Sequence, residues 1–389
     1  MSFRVEAMID GPRAAKIEEL PQIVKLTSWI FGFEKHGVYL DKVFPHVFCE
    51  ENIENLRVIV SDGKVVSHLG IWEGYLHFYG TWLKVGLIGC VCTHPDYRMK
   101  GYASTLVKDA FSKLSNDHVD LVMVSGARSL YTRAGCVEAG IVYDYRVPLD
   151  AIKHLTRYSN ELKIESYAED KISDLIELYQ REPIRFKRSF EEFKLLASRS
   201  FLAEVEALAI FVSYRMSKPS SYVAFVKGVW DNLTVVEYAG SRIAILKTLY
   251  EASKNFKVEH VRLPVPYGDW ELIALLEESG LKPKTSYAPA SLAIPNPAVF
   301  AEKIHPYVEE KLGVKANFKV TTYNDNVFEA YIFGERVKFK DPKAFTLFVF
   351  GRPETVHSSD IVEFDLNRIP EVFRRVFPMP SFIYGLNFI

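Results

Sequence analysis

The stretch Gly86–Ser104 holds the residue types and the spacing best suited to binding chemistry in this chain. An apolar run over 85–93 predicts a buried strand, and His94-Pro95 predicts the turn that ends it. The next segment, Ser104–Leu114, carries its apolar residues on one face, which predicts an amphipathic helix. The sequence therefore predicts a strand, a tight glycine turn and a helix in direct succession.

The predicted turn has the properties of an anion site. The first amides of a helix have no intrahelical acceptor, and together with the helix dipole they attract negative charge. Gly101 lets the backbone come close to a ligand, while Arg98 and Lys100 add positive charge around it. The predicted ligand is a nucleotide-like pyrophosphate. The alternative is a basic strand-to-helix turn in which the glycine is incidental.

The spacing R-x-x-G-x-A, filled by Arg98, Gly101 and Ala103, resembles the acetyl-CoA signature of the GNAT superfamily of N-acetyltransferases. It differs from a Walker loop because no Gly-Lys-Ser/Thr ends it, and the second acidic anchor of a dinucleotide fold is absent. The resemblance implies acetyl-CoA as the cosubstrate. Its pantetheine arm would pair with the backbone of Val91, Cys92 and Thr93. Its pyrophosphate would be held by the residues of the turn, Arg98, Met99, Lys100, Gly101, Tyr102, Ala103 and Ser104.

The order of the other predicted elements matches the GNAT layout, an α/β (α+β) fold with a mixed sheet. A helix over 18–31 and strands over 56–60, 64–73 and 75–83 precede the glycine turn, and a strand over 119–125 and a connection over 126–135 follow its helix. A second unit from about residue 162 repeats this order, with strands over 207–214, 222–230 and 234–239. The segment Gly240-Ser-Arg242 that follows lacks the R-x-x-G-x-A spacing. The second unit is therefore predicted to be a GNAT-like copy without a pyrophosphate turn.

A third unit is predicted after the Pro-rich segment Ala288–Pro297, whose composition indicates a boundary. One helix is expected over Ala298–Leu312, and alternating segments predict four antiparallel strands, over 316–323, 327–333, 336–340 and 344–350. The final segment Pro378–Ile389 is apolar and aromatic, whereas chain termini are usually polar and frayed. We expect this tail to be buried, with the Ile389 carboxylate in a cleft or against a partner, because an isolated buried charge is costly.

Two GNAT-like units followed by an α/β unit with a buried aromatic tail resemble the enhanced intracellular survival family of acetyltransferases. The resemblance implies a catalytic GNAT domain over residues 1–155 that binds acetyl-CoA, and a degenerate GNAT-like domain over 156–288. It also implies a sterol-carrier-protein-like domain over 289–389 whose C-terminal tail enters the active site. Members of this family assemble as hexamers, so a homo-oligomer is expected.

The same family supplies two catalytic roles. A Y-x-R-F-G-Y segment carries a tyrosine that acts as general acid, and the C-terminal carboxylate acts as base. Here Tyr131-Thr-Arg-Ala-Gly-Cys136 matches the tyrosine, the arginine and the glycine, and departs at both aromatic positions. The resemblance therefore implies Tyr131 as the acid and the carboxylate of Ile389 as the base. The chemistry agrees, since an amine of pKa about 10.4 must lose a proton before it attacks, and a phenol of pKa about 10 can protonate a departing thiolate.

Composition excludes several other classes. No run of about 18 apolar residues occurs, so no membrane span is expected. The N-terminal residues lack the apolar region of a secretion signal, and four cysteines are too few for a disulfide framework, so a cytoplasmic protein is expected. The net charge of -1 gives no case for nucleic acid. The spacing of the histidines and cysteines indicates no metal site.

Two alternatives remain open from the sequence. In one, the protein is a binding module that senses CoA or holds a lipid without catalysis. In the other, the fold is the same and the acyl group differs from acetyl. The acceptor, whether an aminoglycoside-, polyamine- or lysine-like amine, is also undetermined, because variable loops form such pockets. Candidate acceptor-side residues are Glu34, His36, Glu73 and Asp144, although residues of these types are more often ordinary solvated groups.

Overall fold

The structure, a computed structural model, describes residues 8–155, 161–202, 207–227, 233–324, 327–353 and 369–389. The strands are β1 Ile9–Ala14, β2 Leu56–Ser61, β3 Lys64–Phe78, β4 Thr81–Thr93, β5 Leu121–Val124, β6 Val137–Glu138, β7 Ile141–Pro148, β8 Lys163–Ser166, β9 Ile184–Phe186, β10 Ala207–Arg215, β11 Lys218–Lys227, β12 Leu233–Gly240, β13 His260–Pro266, β14 Lys284–Tyr287, β15 Ser291–Ala293, β16 Lys319–Asn324, β17 Val327–Ile332 and β18 Glu335–Phe339. The α-helices are α1 Leu20–Ile30, α2 Leu40–Val43, α3 Tyr102–Asn116, α4 Ser129–Arg133, α5 Leu149–Ile152, α6 Ile172–Tyr179, α7 Phe190–Ala197, α8 Arg242–Phe256, α9 Trp270–Glu278, α10 Pro297–Lys303, α11 His305–Leu312, α12 Pro342–Phe350 and α13 Glu371–Val376.

The strands form three sheets. The first has the order β1-β2-β3-β4-β5-β15-β6, with β9 also paired to β3, and the second has the order β14-β7-β13-β12-β11-β10-β8. The third consists of β16-β17-β18. Pairing is parallel between β4 and β5 and between β12 and β13, and it is antiparallel elsewhere in the sheets. The predicted α/β fold with mixed sheets is therefore confirmed.

The chain passes between the first two sheets at Gly140. Strand β6 belongs to the first sheet, whereas β7, which starts one residue after Gly140, belongs to the second. Strand β15 returns to the first sheet and lies between β5 and β6. Gly140 has φ +87°, and a Cβ there would lie 2.7 Å from the Cβ of Ala288, so both the backbone angle and the close approach require glycine. The sheets thus exchange strands across both expected domain boundaries, and the division at residues 155 and 288 stays a prediction.

The strand pattern before the glycine turn differs from the prediction in its boundaries. Three short strands were expected over 64–93, whereas the structure has two long ones, β3 and β4, joined by a two-residue hairpin turn. The turn residues Tyr79 and Gly80 both have positive φ, 40° and 84°. This is the backbone of a type I′ turn, which matches the twist of a hairpin. A tyrosine at its first position gives little sign of the turn in the sequence.

Apolar residues cover both faces of the first sheet. Helix α3 packs on one face through Leu106, Val107, Ala110 and Leu114, as the periodicity predicted, and Phe111 lies at the border of this cluster. The other face shares a continuous core with α1 and with elements of the third unit, including Phe300 and Phe345. The strands of the first sheet are therefore packed against apolar side chains on both faces.

Two secondary-structure predictions for the third unit are wrong. The segment 344–350, expected to be a strand, lies in helix α12, where all seven residues from Ala344 to Phe350 are buried. A helix that is apolar all round has no helical periodicity to detect, although Asp341 caps it by accepting a hydrogen bond from the Ala344 amide at 2.8 Å. The helix expected over 298–312 is two helices, α10 and α11, because the chain breaks at Ile304. The Pro-rich segment expected to be a boundary contains β15.

Some sequence-based statements fall outside the described residues. One is the prediction that the N-terminal residues lack a secretion signal, which concerns residues 1–7. The other is the end of the strand predicted over 222–230, of which residues 228–230 are not described. Within the described ranges, no helix is long and apolar enough to cross a membrane. Those same ranges contain no group of three His, Cys, Asp or Glu side chains that could hold a metal ion.

A buried histidine makes the stability of the first sheet depend on pH. His68 on β3 is fully buried, and burial lowers its pKa to about 3. The unfolded chain binds this proton at about pH 6.5, so the free energy of unfolding should fall as pH falls from 6.5 toward 3. We expect a loss of about 2 kcal/mol at pH 5 from this residue alone.

Urea unfolding at pH 5 and pH 8 measures this loss, with His68→Leu as the comparison. Leucine is apolar, of similar volume and cannot titrate, so the variant should lose about 2 kcal/mol less than the wild type between the two pH values. Equal pH dependence in both proteins would contradict the assignment.

Candidate active site

The glycine turn between β4 and α3 is exposed and basic. A short 3₁₀ turn over 95–97 leads to Arg98, and Met99 and Gly101 then adopt left-handed backbone angles, φ 63° and 79°. Helix α3 begins at Tyr102, one residue later than the turn glycine. The Lys100 ammonium lies 4.8 Å from the ring centre of Tyr97, which holds it over the turn. The amides of the first helical turn therefore face an open, positively charged surface.

Gly101 serves this turn through its backbone angle. A Cβ at Gly101 would meet no atom within 4 Å, so space alone does not require glycine. Other residues rarely adopt φ 79°, and the angle directs the chain into α3. The open surround leaves room for an anion at the helix start.

Strands β4 and β5 separate immediately before this turn. They pair in parallel only over Val85–Ile88 and Leu121–Val124, and the last ladder hydrogen bond runs from the Ser125 amide to the Ile88 carbonyl at 3.0 Å. Beyond Ile88, β4 continues to pair with β3 as far as Thr93. One edge of residues 89–93 thus opens into a cleft. The resemblance to the GNAT superfamily implies that the pantetheine arm of acetyl-CoA binds along this edge.

A β-bulge lies within this cleft. Cys90 has φ 55°, and the register between β3 and β4 shifts so that Gly70 faces Gly89 while His68 faces Cys92. Bulges redirect the backbone and occur often beside active sites. A left-handed angle at a cysteine has no signal in the sequence, and the bulge was not predicted.

The C-terminal tail enters the same cleft. The Ser125 hydroxyl donates a hydrogen bond to the terminal oxygen of Ile389 at 2.6 Å. A Cβ on Gly89 would lie 2.8 Å from the Ile389 carboxyl carbon, so a side chain at position 89 would displace the tail. Ile389 is 3 % exposed, and the tail is buried as predicted. Its acidic end lies at the point where β4 and β5 part.

Tyr131 and Ile389 line one cavity of about 270 Å³ in this cleft. The other lining residues are Phe31, Phe33, Leu40, Phe44, Cys90, Val91, Ser125, Gly126, Ala127, Arg128 and Phe388. Tyr131 was expected in a loop but belongs to the short helix α4, which follows β5 directly. Burial raises the pKa of Tyr131, which the neighbouring Arg128 opposes, so the phenol keeps its proton at neutral pH.

The cysteines near the cleft are not activated. Burial raises the pKa of the Cys92 and Cys136 thiols to about 12 and raises that of Cys90 as well. A thiol is nucleophilic as the thiolate, which a raised pKa disfavours. The cleft therefore lacks a cysteine nucleophile among its described residues.

The four candidate acceptor-side residues lie elsewhere or are already paired. Glu73 forms ion pairs with Lys84 and Lys113 at 3.0 and 2.7 Å, and Asp144 pairs with an arginine on β13. Glu34 and His36 are exposed on a 3₁₀ turn beside the cavity wall, without lining the cavity. Ser125, which holds the tail, was not predicted, although its place directly after a buried strand was a usable signal.

Comparison with known proteins finds a family match for the first third of the chain, which contributes most of this cleft. Residues 12–139 match the family described as acetyltransferase (GNAT) domain. A comparison with curated proteins found no match. This family match runs from within β1 to the end of β6 and includes the glycine turn and Tyr131, whereas β9 and β15 of the first sheet lie outside it.

Three solved structures share the fold over nearly the whole chain. A GCN5-related N-acetyltransferase from Anabaena variabilis has 17 % identity and a TM-score of 0.63, and the match covers 96 % of this chain and 97 % of that one. A probable N-acyltransferase from Enterococcus faecalis has 14 % identity and a TM-score of 0.63, covering 97 % and 98 %. Eis1 from Mycobacterium abscessus has 10 % identity and a TM-score of 0.59, covering 98 % and 100 %. At these identities the likeness concerns the fold, whereas the match of residues 12–139 to the GNAT acetyltransferase domain identifies the protein as an acyl-CoA-dependent N-acetyltransferase.

Proposed function

We propose that the protein transfers an acetyl group from acetyl-CoA to a primary amine, with Tyr131 as general acid and the carboxylate of Ile389 as general base. The observation that carries the proposal is that these two groups line one cavity where β4 and β5 separate. A proton donor and a proton acceptor are the two groups that amine acetylation needs.

The cosubstrate would lie along the open edge of β4. Acetyl-CoA supplies the acetyl group as a thioester, and this chain supplies the groups that bind and orient it. The backbone of Val91, Cys92 and Thr93 would pair with the pantetheine arm. The seven turn residues from Arg98 to Ser104 would hold the pyrophosphate, through amides at the start of α3 and through the charges of Arg98 and Lys100.

The acid and the base divide the proton transfers between them. The Ile389 carboxylate takes a proton from the acceptor ammonium, and the free amine forms the new C–N bond. As the C–S bond breaks, the Tyr131 hydroxyl gives its proton to the departing sulfur, and the second proton that the nitrogen loses on becoming an amide returns to the Tyr131 oxygen. The Ser125 hydroxyl holds the carboxylate in place through its 2.6 Å hydrogen bond. Since a hydrogen bond donated to a carboxylate favours its charged form, this bond also favours the base.

The lining of the cavity supports a lysine-like acceptor over aminoglycoside- or polyamine-like ones. None of the described lining residues has a side-chain carboxylate, and Arg128 is the one basic side chain among them. The walls are aromatic and aliphatic, from Phe31 and Phe44 to Phe388. A ligand with several ammonium groups would find one carboxylate in this lining, that of Ile389, and its other charges would stay unpaired. A ligand with a single ammonium on an apolar stem would pair with that carboxylate and pack its stem against the apolar walls.

The assignment of the remaining chain belongs to the same proposal. Residues 1–155 would be the catalytic domain, 156–288 a degenerate GNAT-like domain, and 289–389 a sterol-carrier-protein-like domain that delivers the tail. The third sheet, which lies wholly within residues 289–389, supports the last of these domains, whereas β7, β9 and β15 cross the two proposed boundaries. Assembly as a homo-oligomer, a hexamer, rests on the family resemblance alone.

Calorimetric titration with acetyl-CoA, followed by an assay of thiol release with a panel of amines, tests the function. We expect binding to the wild type, and thiol release that depends on the amine. Gly101→Val should weaken acetyl-CoA binding at least about tenfold, because a β-branched residue is strained at φ 79° by about 1–3 kcal/mol and the turn would shift. Gly280→Val is the matched control, since Gly280 has φ 77° and open surroundings beyond α9.

Three outcomes would count against the proposal. Equal acetyl-CoA affinity of the Gly101→Val and Gly280→Val variants would show that the glycine turn is not part of the binding site. Binding without thiol release for any amine would favour a CoA sensor or a lipid-binding module. Faster release with longer acyl thioesters than with acetyl-CoA would change the acyl group and leave the fold and the site as described.

A further inference from the structure

The tail passes through the second sheet before it reaches the cavity. Strands β12 and β13 pair only at the start of β12, over Leu233 and Thr234, so among the described residues the rest of that edge has no strand partner. The 3₁₀ turn Gly385–Asn387 packs against β12 in this opening. A Cβ on Gly385 would lie 1.9 Å from a carboxylate oxygen of Glu237, so the Glu237 side chain could not lie this close to the tail backbone with another residue at position 385. The tail therefore fills the second opening, as it partly fills the first.

The helix start beside this second opening is occupied by protein groups. Arg242 begins α8 and donates hydrogen bonds to both carboxylate oxygens of Glu182 at 2.8 Å and to Asp269 at 3.0 Å. All three side chains are at most 13 % exposed. Two carboxylates of the same chain thus neutralise the charge of Arg242, whereas Arg98 of the first unit is exposed.

An ion pair in the second opening holds the tail directly. Arg188 and Glu237 form two hydrogen bonds of 2.9 and 2.6 Å, and their side chains are 1 % and 3 % exposed. Each also bonds the tail. Arg188 donates to the Asn387 side-chain oxygen at 2.7 Å, and Glu237 accepts from the Leu386 amide at 2.9 Å.

Arg199 connects the tail to the wall of the catalytic cavity. Its guanidinium donates to the carbonyls of Leu386 at 2.6 Å and Val43 at 3.0 Å, and to the carbonyl of Leu196 in the preceding helix α7 at 3.0 Å. Val43 ends α2 and lies between Leu40 and Phe44, both of which line the cavity. Burial and the nearby Arg188 lower the pKa of Arg199 to about 9. The guanidinium is thus a buried cation whose hydrogen-bond partners are carbonyls. Burying a charge in this way is costly, and the bonds fix the position of the Leu386 carbonyl on the tail.

We infer that Arg188, Glu237 and Arg199 form a clamp that positions the Ile389 carboxylate for catalysis. The inference rests on the proposed function and adds positioning residues to it. Asn387 is two residues before Ile389, and two residues span at most about 7 Å. Fixing Leu386 and Asn387 therefore limits where the carboxylate can lie, and Ser125 completes its placement. The second unit would thus position the base that the tail brings to the first unit's active site.

The first experiment follows the tail itself. The folded protein is digested with a broad-specificity carboxypeptidase, and mass spectrometry records the release of Ile389 and Phe388. We expect at least about tenfold faster release from Arg199→Met and from Asn387→Ala than from the wild type. Arg199→Met leaves no unpaired carboxylate, and Asn387→Ala removes one acceptor, so both should fold. Arg181→Met, at an exposed arginine, and Gly280→Val are the controls for a loss of charge and for a general loss of stability.

The second experiment follows catalysis with the same variants. Arg199→Met should lower kcat at least about tenfold and leave the KM for acetyl-CoA unchanged, and Arg199→Lys should recover part of the rate. In an enzyme carrying two extra glycines after Ile389, Arg199→Met should have no further effect, because the carboxylate is already displaced. A merely structural role would lower stability and activity in both backgrounds alike.

Each result decides a separate point. Unchanged release from both clamp variants would show that the clamp does not hold the tail. Faster release with unchanged kcat, or an undiminished effect in the extended enzyme, would overturn the positioning role. A wild type that transfers no acetyl group would overturn the proposed function, and the digestion would still decide whether Arg199 holds the tail.

Discussion

Replacing Tyr131 with Phe should lower kcat for acetyl transfer about 10²- to 10⁴-fold, the usual contribution of a positioned general acid. The ring of Tyr131 is 4 % exposed and packs in the cluster between α3 and β5, so phenylalanine keeps the packing and removes only the proton donor. The KM for acetyl-CoA and the melting temperature should change little. Steady-state kinetics with a lysine-like amine and calorimetric titration with acetyl-CoA measure these quantities separately.

Tyr384→Phe is the matched comparison for Tyr131→Phe. Tyr384 is also buried, and its hydroxyl lies close to the side chain of Ser125. The loss of one buried hydroxyl costs about 1 kcal/mol of stability, and kcat should stay within a few-fold of the wild type, because Tyr384 does not line the described cavity. If Tyr384→Phe were the inactive variant and Tyr131→Phe the active one, the general acid would be on the tail.

Adding two glycines after Ile389 should lower kcat by a similar factor, about 10²- to 10⁴-fold. The extension converts the Ile389 carboxylate into an amide and moves the new carboxylate away from Ser125, so the base is lost from the cavity. Acetyl-CoA binding should persist, because the turn residues from Arg98 to Ser104 are untouched. Pre-steady-state thiol release, measured across pH 6 to 10, separates loss of the base from loss of binding. The rate of the extended enzyme should rise with pH as the free amine becomes available.

Two controls accompany the extension. Ile389→Val keeps the carboxylate and most of the apolar contact with Gly89, so it should retain most of the activity. Two glycines at the N-terminus test for an unspecific effect of added length. An extended enzyme as active as the wild type would falsify the role given to the terminal carboxylate.

The sequence predicted those parts of the site that depend on local pattern. The strand, turn and helix around Gly101 follow from apolar periodicity and from glycine at a left-handed position. The strand ends at Thr93 as predicted although it starts four residues earlier, at Thr81, and the helix begins two residues before the predicted start. The burial of the tail followed from its composition. These features need only neighbouring residues to specify them, which is why a single sequence was enough.

The features that were missed depend on long-range contacts or on ambiguous patterns. The bulge at Cys90 needs a left-handed angle at a residue type that gives no sign of it. Helix α12 is apolar on every side, so its pattern is compatible with a buried strand. The clamp joins residues almost two hundred positions apart, as in the bond from Arg199 to Leu386. No local signal in a single sequence connects such positions.

The exchange of strands at Gly140 constrains how this protein can be made. Strand β5 lies between β4 and β15, and Val124 pairs with Ser291, which the ribosome adds much later. At common elongation rates the interval is roughly ten to thirty seconds. During that time the nascent first sheet has an uncovered apolar edge at β5, and such edges favour aggregation. Chaperone protection during synthesis would therefore matter more for this chain than for one whose sheets close in sequence order.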